Sequence, residues 1–141
     1  MLLVADDDPG LRESLQRTLT RAGYRVVLAP DGRAALDTIQ GGGLDLILSD
    51  LKMPGLTGIE LLRAAKALAP DVDVILLTAF GTIEEAVGAM KDGAYDFITK
   101  PFRGEHDVVA RAHERALQAL AQPGIVVRDE ERATVRHAPP A

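Results

Sequence analysis

With 141 residues, 47% of them apolar, the chain suits one domain around a single core, and with two Tyr, three Phe and no Trp that core must be built from Val, Ile, Leu and Ala. A formal charge of -5 argues against a general nucleic-acid surface, and the lack of Cys excludes disulfides and thiolate metal sites. No apolar run is long enough to span a bilayer, and no basic segment followed by an apolar one precedes Asp6, so a soluble cytoplasmic domain without membrane or direct nucleic-acid contact is expected.

LLVA (2–5) reads as the first strand. Asp8 and Pro9 follow as N-cap and first-turn proline of a helix carried by Leu11, Leu15, Leu19 and Ala22, with Gly23 as its stop. RVVLA (25–29) is the second strand, and Ala35, Leu36 and Ile39 mark a short helix that ends at the glycines 41–43. LDLILSD (44–50) is the third strand; Thr57 and Glu60 form a capping box that opens a helix through Ile59, Leu62 and Ala65. VDVILLT (72–78) is the fourth strand, and a second capping box, Thr82 with Glu85, opens a helix with Ile83, Ala86, Val87 and Met90 on one face. YDFIT (95–99) is the fifth strand, and Val109, Ala112, Ala116, Leu117 and Leu120 carry a last helix. After Ala121 the periodicity stops, so 122–141 reads as a tail or the start of a linker, with RDEER (128–132) solvated. His106, His113 and His137 lack ligand spacing and are read as structural or exposed.

Near-continuous apolar strands alternating with helices imply a doubly wound parallel sheet covered on both faces. The ligand crevice of such a sheet lies beyond the carboxyl ends of its strands. Those ends carry Asp6 and Asp7 after the first strand, Asp50 on the third, Thr78 on the fourth and Lys100 before Pro101 after the fifth. Three converging carboxylates make a hard oxygen site suited to Mg²⁺. A hydroxyl and an ammonium opposite them suit the oxygens of a phosphoryl group. Taken singly, DDD reads as a solvated loop and helix cap, and Thr78 and Lys100 as ordinary strand-end and surface residues. One such residue at each of these strand ends reverses that reading, while Asp8 is left to the cap.

In combination these motifs resemble the receiver domains of two-component response regulators. DD follows the first strand, D-x-x-M-P-x-x-x-G is met by Asp50, Met53, Pro54 and Gly58, T-A by Thr78 and Ala79, and K-P by Lys100 and Pro101. Asp50 lies 43 positions after Asp7, Thr78 lies 28 after Asp50, and Lys100 lies 22 after Thr78. LTAFGTIEEAVGAMKDGAYDFITKPF looks most like the NtrC-type members. The resemblance covers 2–121, which marks 1–121 as the domain. It implies a five-stranded, flavodoxin-like (βα)5 fold with strand order 2-1-3-4-5.

The resemblance implies a role for each of these residues. Asp50 would be the phosphoacceptor, taking a phosphoryl group from a histidine kinase or phosphotransfer protein. Asp6, Asp7, Asp50 and the backbone carbonyl of Lys52 would hold Mg²⁺. Thr78, Ala79 and Lys100 would meet the phosphoryl group, and Phe97 would move with Thr78 as the aromatic switch. Lys52 and Phe80 would tune the phosphoryl lifetime, and the bond to Pro101 would be cis. Phosphorylation would then change the surface of the fourth helix, fifth strand and last helix, which also offers a homodimer face. The implied function is that of a signalling phosphoacceptor and not an enzyme, controlling an NtrC-like transcription output. A stand-alone receiver working by protein contacts or phosphorelay is the alternative. A Mg²⁺-dependent aspartyl-nucleophile phosphatase is disfavoured, because Lys52 stands where such enzymes carry a second Asp.

Overall fold

In the computed structural model, which describes residues 1–78, 83–99 and 105–121 (only the backbone at 83 and 105–107), five strands alternate with five helices. They are β1 (Leu2–Ala5), α1 (Pro9–Arg21), β2 (Val26–Ala29), α2 (Gly32–Gly41), β3 (Leu46–Asp50), α3 (Gly58–Leu68), β4 (Asp73–Thr78), α4 (Ile83–Lys91), β5 (Asp96–Thr99) and α5 (Glu105–Leu120). All strand pairs are parallel and the order is β2-β1-β3-β4-β5, as expected. The capping box at Thr82, the expected Pro101 cis bond and the segment 122–141 lie outside the described residues.

Side-chain alternation along the strands divides the core into two layers. Leu2, Val4, Leu46, Leu48, Ile75, Leu77 and Ile98 pack against Leu11, Leu15 and Leu19 of α1 and Ala112 and Ala116 of α5. Leu3, Ala5, Ile47, Val74 and Leu76 pack on the other side against Ile39 of α2, Leu61, Leu62 and Ala65 of α3 and Ala89 of α4. Leu3, Leu48 and Leu76 are fully buried, and each such leucine contributes roughly 1.5–3 kcal/mol relative to an exposed one. The central strands β1, β3 and β4 are buried almost throughout, so it is their ends that can carry chemistry.

The helix signals act as expected. The Asp8 carboxylate accepts from the N–H groups of Gly10 and Leu11 at the start of α1, and Gly23 takes a left-handed φ of 100° just after its end. At α3 the Thr57 hydroxyl accepts from the Glu60 N–H while the Glu60 carboxylate accepts from the Thr57 N–H, and these bonds hold the Glu60 carboxyl below its usual range.

The expected strand starts need correction. The sheet ladder begins later than the apolar runs at 44–50 and 72–78: Leu44 and Val72 are buried, but β3 and β4 start at Leu46 and Asp73. An apolar run marks burial and not pairing; ahead of β3, the Asp45 carboxylate pairs with the Met1 amine at 2.6 Å. In α4 the described large apolar side chains of the expected face, Val87 and Met90, point outward. Ala89 is fully buried, whereas Val87 and Met90 are 47% and 48% exposed. On the sheet side of α4 the buried residue is the small Ala89.

Candidate functional site

The register brings the strand-end carboxylates together. Ala5 pairs with Ser49, so the next position along each strand is Asp6 on one side and Asp50 on the other. Asp50 in turn pairs with Leu77, which puts Thr78 one step further along β4, opposite Thr99. Asp6, Asp50 and Thr78 are all buried, and Asp7 is exposed at the rim. One carboxylate oxygen from each of Asp6, Asp7 and Asp50 lies within 4.8 Å of the other two. Two buried carboxylates at such a separation repel by a few kcal/mol at an effective dielectric of about 20. The sheet topology imposes that proximity.

Local bonds aim these groups. The Asp8 N–H donates to Asp6 Oδ1 at 2.9 Å, and Arg12 Nη1 donates to the Asp6 carbonyl at 2.7 Å. The Lys52 N–H reaches Asp50 Oδ1 at 3.4 Å, a long contact, and the buried Ser49 hydroxyl donates to the Asp50 carbonyl at 3.0 Å. Behind Asp50 the start of α3 presses on the chain. Gly58 N–H donates to the Leu51 carbonyl at 2.7 Å, and a Cβ on Gly58 would stand 2.4 Å from the Asp50 carbonyl oxygen. Only glycine permits that approach. Gly55, at φ +83°, turns the chain between them.

The expected switch residues fall on one face of the sheet. Thr78 shares the alternation of Val74 and Leu76, and Phe97 pairs with Leu76, so both belong to the layer facing α4. Phe97 is half-buried there. Ala79, Phe80, Lys100 and Pro101 lie outside the described residues. Asp8 serves as the α1 cap, as expected. The close contacts of Arg12 and Ser49 were not legible in the sequence: neither belongs to a motif, and both act through the backbone of a neighbouring acidic residue.

The family model described as response regulator receiver domain matches residues 2–113, most of the chain. The chain belongs to that family. Its residues are 45% identical, over 116 residues, to the C4-dicarboxylate transport transcriptional regulatory protein DctD of Pseudomonas aeruginosa, a match that covers 80% of this chain and 25% of DctD. A CheY-like receiver domain protein of Methanospirillum hungatei shares the fold with a TM-score of 0.73 and 30% identity, over 84% of this chain and 94% of that one. The beryllofluoride-activated NtrC4 receiver domain, solved as a dimer, gives a TM-score of 0.68 and 33% identity, over 81% and 96% of the two chains. Against curated full-length relatives this receiver spans between about a quarter and a half of their length. Receiver domains of this family are signalling parts of two-component response regulators. No helix among the described residues is long and apolar enough to cross a membrane.

Proposed function

We propose that this receiver takes a phosphoryl group from a histidine kinase or phosphotransfer protein onto Asp50, with Mg²⁺ held by Asp6, Asp7, Asp50 and the backbone carbonyl of Lys52. The observation that supports this best is the convergence of one oxygen from each of the three carboxylates within 4.8 Å. Oxygens bound to one Mg²⁺ at about 2.0–2.1 Å lie roughly 3–4 Å apart, so a small contraction of this cluster suffices. The hard, all-oxygen donor set fits the ion. When bound, Mg²⁺ would offset the carboxylate repulsion and the charge of the incoming phosphoryl oxygens.

The remaining steps belong to the chain. A carboxylate oxygen of Asp50 attacks phosphorus, the bond from phosphorus to the donor imidazole nitrogen breaks, and its electron pair returns to the ring. Burial of Asp50 at the strand end keeps bulk water from competing with it. Lys100 and the Ala79 N–H are assigned to the phosphoryl oxygens, and Lys52 and Phe80 to control of water access. Phosphorylation adds about 1.5–2 negative charges at pH 7. The Thr78 hydroxyl would answer that charge and Phe97, on the same sheet face, would move with it, changing the surface of α4, β5 and α5. Val87 and Met90 on the outer side of α4 fit a homodimer face there. We assign 1–121 to the receiver, 122–141 to a tail or the start of a linker, the location to the cytoplasm and the output to NtrC-like transcription control.

Metal titration of two neighbouring variants tests the site. Asp7→Asn should weaken Mg²⁺ binding roughly tenfold or more, since it neutralises an oxygen of the cluster. Asp8→Asn should leave it near the wild-type value, because asparagine also caps a helix. Equal losses in both variants would contradict the division of the acidic triplet.

A further inference from the structure

Arg12 lies outside every motif above, yet its guanidinium reaches the backbone of the site. It is half-buried on α1, its backbone N–H donates to the Asp8 carbonyl at 3.0 Å, and its Nη1 donates to the Asp6 carbonyl at 2.7 Å. That carbonyl belongs to the peptide joining Asp6 to Asp7. The orientation of this peptide plane sets where both side chains leave the backbone. Asp6 is fixed on its other sides by its N–H to the Ala29 carbonyl at 3.1 Å and by the Asp8 N–H on its carboxylate at 2.9 Å. Arg12 adds a restraint on the carbonyl side, and it does so from a helix that Leu11, Leu15 and Leu19 anchor in the core.

We infer that Arg12 is a positioning residue of the metal site: by holding the Asp6–Asp7 peptide it aims both carboxylates at the ion, and so raises Mg²⁺ affinity. This role rests on the metal reading above. Two physical effects oppose each other here. A fixed positive charge near the cluster disfavours a second cation, so by charge alone its removal would tighten Mg²⁺ binding. Outer-shell groups that orient ligands instead strengthen binding by about 10–100-fold. The short bond to the Asp6 carbonyl selects orientation over charge: the guanidinium is spent on a backbone acceptor that stands between two ligands.

The sign of the effect makes the inference testable. Arg12→Met keeps an unbranched apolar stem on α1 and removes every donor. It should weaken Mg²⁺ binding by roughly tenfold in calorimetric titration while the thermal midpoint stays near wild type. Arg12→Lys, whose ammonium can donate to the same carbonyl, should recover affinity to within about threefold of wild type. Without metal, Arg12→Met should also shift the NMR signal of the Asp7 amide, which shares its peptide group with the Asp6 carbonyl. Wild-type protein that binds Mg²⁺, with Arg12→Met binding as tightly or more tightly, overturns the role of Arg12 alone. Wild-type protein that shows no Mg²⁺ binding overturns the metal reading and this role with it.

Discussion

Asp50→Asn should accept no phosphoryl group from acetyl phosphate and Mg²⁺, and should still fold. The amide has the shape of the carboxylate but no anionic oxygen to form the new bond. Asparagine retains a side-chain oxygen for the Lys52 N–H, and the Ser49 bond goes to the backbone carbonyl, which the substitution does not touch. Removing one charge from a crowded acidic cluster also relieves repulsion, so the loss should be chemical and not structural. Circular dichroism with phosphoprotein mass measurement separates the two. Modification of Asp50→Asn at the wild-type level would remove Asp50 from its proposed role.

Gly58→Ala should destabilise the domain by roughly 2–4 kcal/mol, against the usual trend for helices. Alanine is favoured over glycine inside a helix by about 1 kcal/mol. At Gly58 that gain is overridden, because the new Cβ would stand 2.4 Å from the Asp50 carbonyl oxygen and 2.7 Å from Leu51 Cα. Both obstacles are backbone atoms and cannot swing aside. Either α3 lifts away, weakening the 2.7 Å bond from Gly58 N–H to the Leu51 carbonyl, or β3 shifts at Asp50 itself. Gly88 on α4 provides the contrast: nothing lies within 4 Å of a Cβ there, so Gly88→Ala should be neutral or stabilising by up to about 1 kcal/mol. Urea unfolding of the two variants reads both effects. Equal stability of Gly58→Ala and wild type would mean that the helix start is not pressed against Asp50.

Much of this was legible because burial on both faces leaves the central strands nearly unbroken apolar runs, from Leu2 to Ala5 and from Leu46 to Leu48. Short polar punctuation did the rest: Asp8 before Pro9, Thr57 before Glu60 and Gly23 after α1 each state a helix end. The acidic cluster was legible only through topology, since Asp7 and Asp50 are far apart in sequence and meet because β1 and β3 are neighbours. The buried residue of α4 was not legible. A period of apolar residues at 83, 86, 87 and 90 gives a stripe but not its partner, and Ala89 holds the sheet side. Arg12 and Ser49 escaped for a different reason, because a side chain that bonds to a backbone carbonyl leaves no pattern of residue types behind. The motif glycine Gly58 was visible as a letter, and its reason appeared only with the approach of α3 to Asp50.

The most direct test of the account is to locate the phosphoryl group on the wild-type protein. Incubation with acetyl phosphate in Mg²⁺ and, in parallel, in chelator, followed by borohydride trapping and peptide mapping, reads both site and metal dependence. The modification should map to Asp50 and vanish in chelator. A phosphoryl group on another residue, or equal labelling without the metal, would contradict the proposal that the three carboxylates form a Mg²⁺-dependent acceptor site.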